Sequence, residues 1–153
     1  MTNIAVFTPK SVHTKTASVR ALTKLGQLLN ISIKNPNDLA RFARGGLPVS
    51  AFETFTQHGF SRKEAEWIIP ARTFTHRKGG DGRLTIDESD KLIRAARIQS
   101  LAYEVLGIEE KALAWLHKER QLFDGLSAME YMKTEQGAQQ VEEALIQLDE
   151  GYF

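Results

Sequence analysis

The residues most able to do chemistry in this chain are not arranged for catalysis. His13, His58, His76 and His117 are far apart and show no ligand spacing such as His-Glu-x-x-His. There is no cysteine, which removes thiolate metal sites, a cysteine nucleophile and a disulfide scaffold. The acidic pairs Glu109-Glu110 and Glu142-Glu143 are adjacent, so on a helix they point in different directions and read as solvated surface. Lys78-Gly79-Gly80-Asp81-Gly82 superficially matches a phosphate loop. It follows a helical pattern rather than a strand and lacks the closing Gly-Lys-Ser/Thr, so it fails in context. The expectation is a protein that is not an enzyme and holds neither metal nor cofactor.

The strongest pattern lies between Ser61 and Lys78. A capped helix over 62–68 is followed by a break at Ile69-Pro70-Ala71, then by a short basic segment. This spacing predicts a helix-turn-helix. Ala65 is small where two helices must cross, and Phe74 is the inward anchor of the second helix. Arg72, Thr73, Thr75, His76, Arg77 and Lys78 then face outward. Guanidinium forks and hydroxyls at the start of such a helix suit base edges and phosphates, and further cations suit the backbone. The usual turn glycine is missing, with Ile69-Pro70 in its place. The alternative is a basic helical surface that reads nothing.

The elements that must position this segment are helical. Residues 1–16 are rich in Thr, Ser and Lys and lack helical periodicity, which suggests a flexible basic arm with a short extended start at 4–7. Leu22, Leu25, Leu28 and Leu29 mark a helix over 17–29. Asn35-Pro36 reads as an N-cap with proline at the first helical position, opening a helix that stops at Gly45-Gly46. Capping-box patterns recur at Ser50–Glu53, Ser61–Glu64, Thr85–Glu88 and Ser127–Glu130. The longest helix is expected over about 87–106, with Leu92, Ala95, Ile98, Ala102 and Val105 on one face. Trp115 reads as a core anchor, and His117 as a capping group at a helix end. A last helix over about 134–149 carries Ala138, Val141, Leu145 and Leu148 on one face. Arg94 and Arg97 are either solvated or paired with Glu88 and Asp90.

Composition adds a division of labour. The 153 residues hold 20 Lys and Arg against 19 Asp and Glu, a net charge of +1. Residues 1–84 contain 13 basic and 5 acidic groups (+8), and residues 85–153 contain 7 basic and 14 acidic groups (−7). The basic half suits a polyanion and the acidic half a protein partner, although chance clustering of surface charge is the bland alternative. The sign changes at the glycine-rich break, which places the domain boundary at about 79–86. The domains are then an arm at 1–16, a DNA-binding domain at 17–84 and a second helical domain at 85–153. No apolar run approaches the roughly 18 residues needed to span a bilayer, nothing at the start reads as a signal peptide, and the absence of cysteine fits a cytoplasmic setting.

Several stretches of the second half, taken in order, carry a resemblance. They are Glu88-Ser89-Asp90 before the helix bearing Arg94 and Arg97, then Ala112-Leu113-Ala114-Trp115-Leu116, then Gly125-Leu126-Ser127-Ala128, then Glu135-Gln136-Gly137-Ala138 with Val141-Glu142. Together with Arg72-Thr73 and Arg77 followed by Gly82-Arg83-Leu84, this succession resembles the Xre/MbcA/ParS-like antitoxins. The likeness covers about 45–153 well and 17–44 loosely. His76 stands where a second Arg is common, and Ala128 where Pro is usual. The resemblance implies an all-α fold, with an N-terminal Xre/Cro-like helix-turn-helix lobe followed by a small helical toxin-binding lobe. It also implies a type II antitoxin that blocks a RES-domain toxin, an NAD⁺-consuming enzyme, and represses its own operon through operator DNA. A homodimer, and a larger assembly with toxin, match the two-fold symmetry of such operators. The toxin-binding residues are expected in the closing segment Asp149, Glu150, Gly151, Tyr152 and Phe153, where carboxylates and two rings suit a dinucleotide pocket. The other readings are a stand-alone regulator whose C-terminal lobe only dimerises or senses a ligand, and a localisation scaffold.

Overall fold

The computed structural model describes residues 11–79 and 82–151, with residues 11–19 described by their backbone alone. The elements in order are α1 (Ser11–Leu29), α2 (Pro36–Gly45), α3 (Val49–Thr56), α4 (Ala71–Lys78), α5 (Ile86–Leu106) and α6 (Glu109–His117). A 3₁₀ turn (Gln121–Phe123), α7 (Ala128–Tyr131) and α8 (Glu135–Asp149) complete the chain. No strand is found among the described residues. Two isolated bridges, Pro48 with Arg83 and Glu119 with Ser127, pin loops together.

Side-chain caps set the starts of α2, α5, α7 and α8. The Asn35 side chain accepts from the Asn37 N–H at 3.0 Å, and Asp38 accepts from the backbone N–H groups of Lys34 and Asn35. The Lys34 N–H is the main reason the Asp38 carboxyl titrates below its ordinary value; partial burial pushes the other way, and the Asn35 N–H and Arg41 reinforce the lowering. Thr85 and Glu88 form a reciprocal capping box at the start of α5, with bonds of 2.8 and 3.1 Å. Ser127 and Thr134 cap α7 and α8.

Three local expectations are corrected. Residues 11–16, expected in a flexible arm, belong to α1, whose backbone is helical from Ser11; residues 1–10 lie outside the described residues. The Ser50–Glu53 capping box does not form, because α3 already starts at Val49 after Pro48 and Ser50 sits inside the helix. The Ser61–Glu64 box does form, at 3.1 Å in both directions, yet no regular helix follows it. Residues 62–68 are a run of turns whose bonds alternate in span, Ala65 N–H to Ser61 but Ile68 N–H to Ala65. Ala65, Ile68 and Ile69 are all buried there, so the segment turns its apolar side inward at helical spacing without forming a regular helix.

One continuous core joins both halves of the chain. α5 is its axis: α1 and α2 pack on it from one half, α6 and α8 from the other. Leu92, Ala95, Ile98 and Ala102 are fully buried, as the expected spacing requires. The glycine-rich break therefore does not divide the core. Trp115, expected as an anchor, is only half-buried. Leu116 and Phe123 fill the centre instead, with Phe123 stacked on Tyr131 at 5.2 Å and edge-on to Trp115 at 6.0 Å.

Candidate functional site

α4 follows Pro70, which sets the entry of the chain, and it turns Phe74 inward, 3% exposed. The Phe74 ring lies 5.1 Å from that of Phe52 in α3. Helical geometry then fixes which neighbours face outward. Arg72, Thr75 and His76 are exposed along one stripe, and Thr73 is half-buried. The Thr75 hydroxyl donates to the Ala71 carbonyl at 3.0 Å, leaving its lone pairs for an incoming donor.

The six expected contact residues do not form one outward set. Arg77 turns toward the body of the protein, with its side chain 23% exposed, and pairs with Glu88. Because Glu88 also caps α5, this pair ties the end of α4 to the start of α5. Lys78 remains exposed, but its ammonium sits 2.9 Å from the Glu53 carboxylate of α3. The sequence could not show this, since neither partner lies at helical spacing from its cation. The exposed stripe of α4 is Arg72, Thr75 and His76, and the helix is clamped at its C-terminal end.

Sequence reasoning missed Arg62. Its guanidinium lies 5.1 Å from the Phe74 ring centroid, beside α4, and the residue is exposed. Lys63 next to it is exposed as well. No local spacing signals this, because Arg62 and Phe74 stand on opposite sides of the turn.

A polar junction links this region to the acidic half. The Gln99 amide of α5 donates to the His58 carbonyl and, at 2.8 Å, to the Tyr103 hydroxyl oxygen. The Tyr103 hydroxyl lies 3.2 Å from the His58 carbonyl and 3.3 Å from a Glu109 carboxylate oxygen. Burial pushes the Tyr103 phenol up to about 12; the Gln99 hydrogen bond works against this and the Glu109 charge works with it. Nearby, the His117 ring contacts the Leu113 carbonyl at 2.7 Å through Nδ1, as a capping group should, and Glu64 at 2.9 Å through Nε2. Burial would raise the Glu64 carboxyl, but the Ser61 N–H, the Ser61 hydroxyl and His117 outweigh it and hold it below the ordinary value. Gly59 sits against Leu113 of α6 so closely that a Cβ there would clash, and its φ of +104° is left-handed.

In the C-terminal region, Arg94 donates to Glu135 at 3.0 Å and to the Lys133 carbonyl at 3.1 Å, and Arg97 donates to Glu142 at 2.5 Å. These pairings differ from both expected alternatives, solvated arginines or pairs with Glu88 and Asp90, and they fasten α8 to α5. Ala138, Val141 and Leu145 are buried as expected. α8 closes with exposed Asp149 and Glu150, and Gly151 at φ +81° leads the chain out of the helix. Tyr152 and Phe153 lie outside the described residues. Leu122, Leu126 and Ile146 are large apolar side chains left about half exposed. Among the described residues no cluster could hold a metal ion, and no helix is long and apolar enough to cross a membrane.

Residues 38–97 match the sequence model of the antitoxin Xre-like helix-turn-helix domain, and residues 101–151 match that of the antitoxin Xre/MbcA/ParS C-terminal toxin-binding domain. The chain is 47% identical over 89 residues to the antitoxin Xre of Pseudomonas putida, covering 58% of this chain and 56% of that protein. It is 31% identical over 86 residues to the antitoxin Xre of Yersinia enterocolitica, covering 56% of this chain and 58% of that protein. The chain thus spans little more than half the length of these curated relatives. The helical fold, the placement of α4 and the two matched segments agree: the chain belongs to the Xre/MbcA/ParS-like antitoxin family.

Proposed function

We propose that this chain is the antitoxin of a type II toxin–antitoxin pair, a regulator rather than an enzyme, acting in the cytoplasm. Its α4 stripe of Arg72, Thr75 and His76 reads operator DNA, and the segment after residue 101 binds the toxin. The observation that carries this reading is the ordered pair of matched segments along one chain, with the exposed face of α4 lying inside the first. The charge division supports it: +8 before residue 85 for DNA and −7 after it for a protein.

The resemblance points to a RES-domain toxin that consumes NAD⁺. A pocket that holds a pyrophosphate carries cationic groups. Asp149 and Glu150 are exposed at the end of α8, and Gly151 turns the chain away from the helix, so Tyr152 and Phe153 continue beyond two carboxylates. In this reading the segment 149–153 enters the mouth of the toxin's active site and competes with the dinucleotide. The DNA-bound form is a homodimer on a two-fold operator, and the toxin complex is a larger assembly.

The test deletes residues 149–153 and follows complex formation and NAD⁺ loss in cells that express the toxin. The truncated chain is expected to bind but to protect poorly. Full protection by the truncated chain would show that the tail is not the plug, and absence of any complex with the intact chain would refute the antitoxin reading.

A further inference from the structure

Arg62 is the exposed cation whose surroundings fix it beside α4. Several neighbouring basic groups are committed: Arg77 to Glu88, Lys78 to Glu53, and Arg83 to the Gly46 carbonyl at 3.0 Å; Lys63 is exposed like Arg62 but has no ring contact among the described residues that fixes it. Among the described residues none of the ion pairs involves Arg62 or Arg72. Arg72 belongs to the reading stripe. Arg62 stands apart from it, at the start of the segment that precedes the turn, with its guanidinium over Phe74.

We propose that Arg62 is a DNA-backbone contact, presented to a phosphate by the Phe74 ring. The inference rests on the reading that α4 enters a DNA groove. In a helix-turn-helix the element before the turn crosses the sugar-phosphate backbone while the second helix reads the groove. Arg62 opens that first element. A guanidinium is planar and offers donors in a fixed fork, which suits a phosphate, and it remains charged at any relevant pH. A free arginine loses considerable rotamer freedom on binding. Contact with an aromatic face restricts it beforehand, so less ordering remains to be done in the complex. The ring itself is held: Phe74 is buried and packed on Phe52, 5.1 Å away on α3. One side chain thus faces inward as the anchor of α4 and also holds the cation beside it. The occupant is a phosphodiester rather than a base edge, because Arg62 lies outside the α4 stripe.

The test is fluorescence anisotropy with two duplexes of equal length, one carrying the promoter of the chain's own gene and one of scrambled sequence. Each is titrated across a range of salt concentrations. Arg62→Ala is expected to flatten the dependence of log affinity on log salt by about one unit and to weaken both duplexes by a similar factor. Arg62→Lys should keep the slope but bind both duplexes more weakly than the parent chain, because it keeps the charge and loses the planar fork. If Arg62→Ala loses its cooperative melt, Arg62→Gln carries the same expectation as the alanine variant. An unchanged slope in a folded Arg62→Ala or Arg62→Gln variant would overturn the proposal while leaving the DNA reading intact. Loss confined to the promoter duplex would overturn it too, by making Arg62 a base reader. Salt-independent binding by the parent chain would refute the DNA reading itself.

Discussion

Replacing Arg77 with Ala should lower the thermal midpoint by about 4–8 °C and leave the salt dependence of DNA binding in place. The Arg77 side chain is 23% exposed and the Glu88 side chain 11%. Stranding one member of a fully buried pair costs about 3–5 kcal/mol, and a hydrogen bond to a charged group contributes about 1.5–3 kcal/mol. Arg77 keeps some contact with water, and Glu88 keeps the Thr85 N–H at 2.8 Å, so the cost here falls to about 2 kcal/mol. Each kcal/mol moves the midpoint of a chain this size by about 2–4 °C, which gives the stated range. Adding Glu88→Gln removes the stranded charge while its amide oxygen still accepts from Thr85. The double variant should therefore melt above Arg77→Ala. Melting followed by circular dichroism, together with anisotropy across salt, separates the two roles. A midpoint that does not move, combined with a slope that falls by about one unit, would make Arg77 a phosphate contact and refute the clamp.

Acid should act through Glu64. Its carboxyl is held below the ordinary value of 4.5, so its contribution is present above that value and lost as pH falls through the lower folded value. Melting from neutral pH downward should show the parent more stable than Glu64→Gln near neutrality, with the gap closing as pH falls below 4.5; a gap that widens in acid would contradict the assignment. Gly59→Ala should destabilise by about 1–2 kcal/mol, because Ala is strained at φ +104° and its Cβ meets Leu113. Shortening Leu113 to Ala in that background should recover only the steric part, and full recovery would show that the backbone angle costs nothing.

The legible parts of this fold are those set by near neighbours. The Asn35, Thr85 and Ser127 caps act within three residues, and they open α2, α5 and α7 in the structure. Phe74 read as an inward anchor because a short basic helix offers few other apolar groups. Local patterns misled where a stronger constraint lay beside them. Pro48 starts α3 before Ser50 can cap it, and the segment before the turn stays irregular although its capping box forms. The electrostatics were the least legible. Arg77 finds Glu88 across the glycine-rich break, and Arg94 and Arg97 find Glu135 and Glu142 on a helix some forty residues away. A string of cations looks alike in sequence whether it faces solvent or a carboxylate, and only the folded chain assigns its partners.

The course of α5 bears on how such proteins can diversify. The helix-turn-helix match ends at residue 97 and the toxin-binding match begins at residue 101, both inside this one helix. Around that point Ala95, Ala96, Ile98, Gln99 and Ser100 are buried, and Gln99 also grips the His58 carbonyl. A recombination crossover there would join two half-helices whose inner faces were shaped against different neighbours. Chimeras that exchange one recognition specificity while keeping the other need the whole helix, with the side chains facing it, from a single parent. Operator choice and toxin choice would then drift by point substitution on exposed faces more readily than by shuffling of modules.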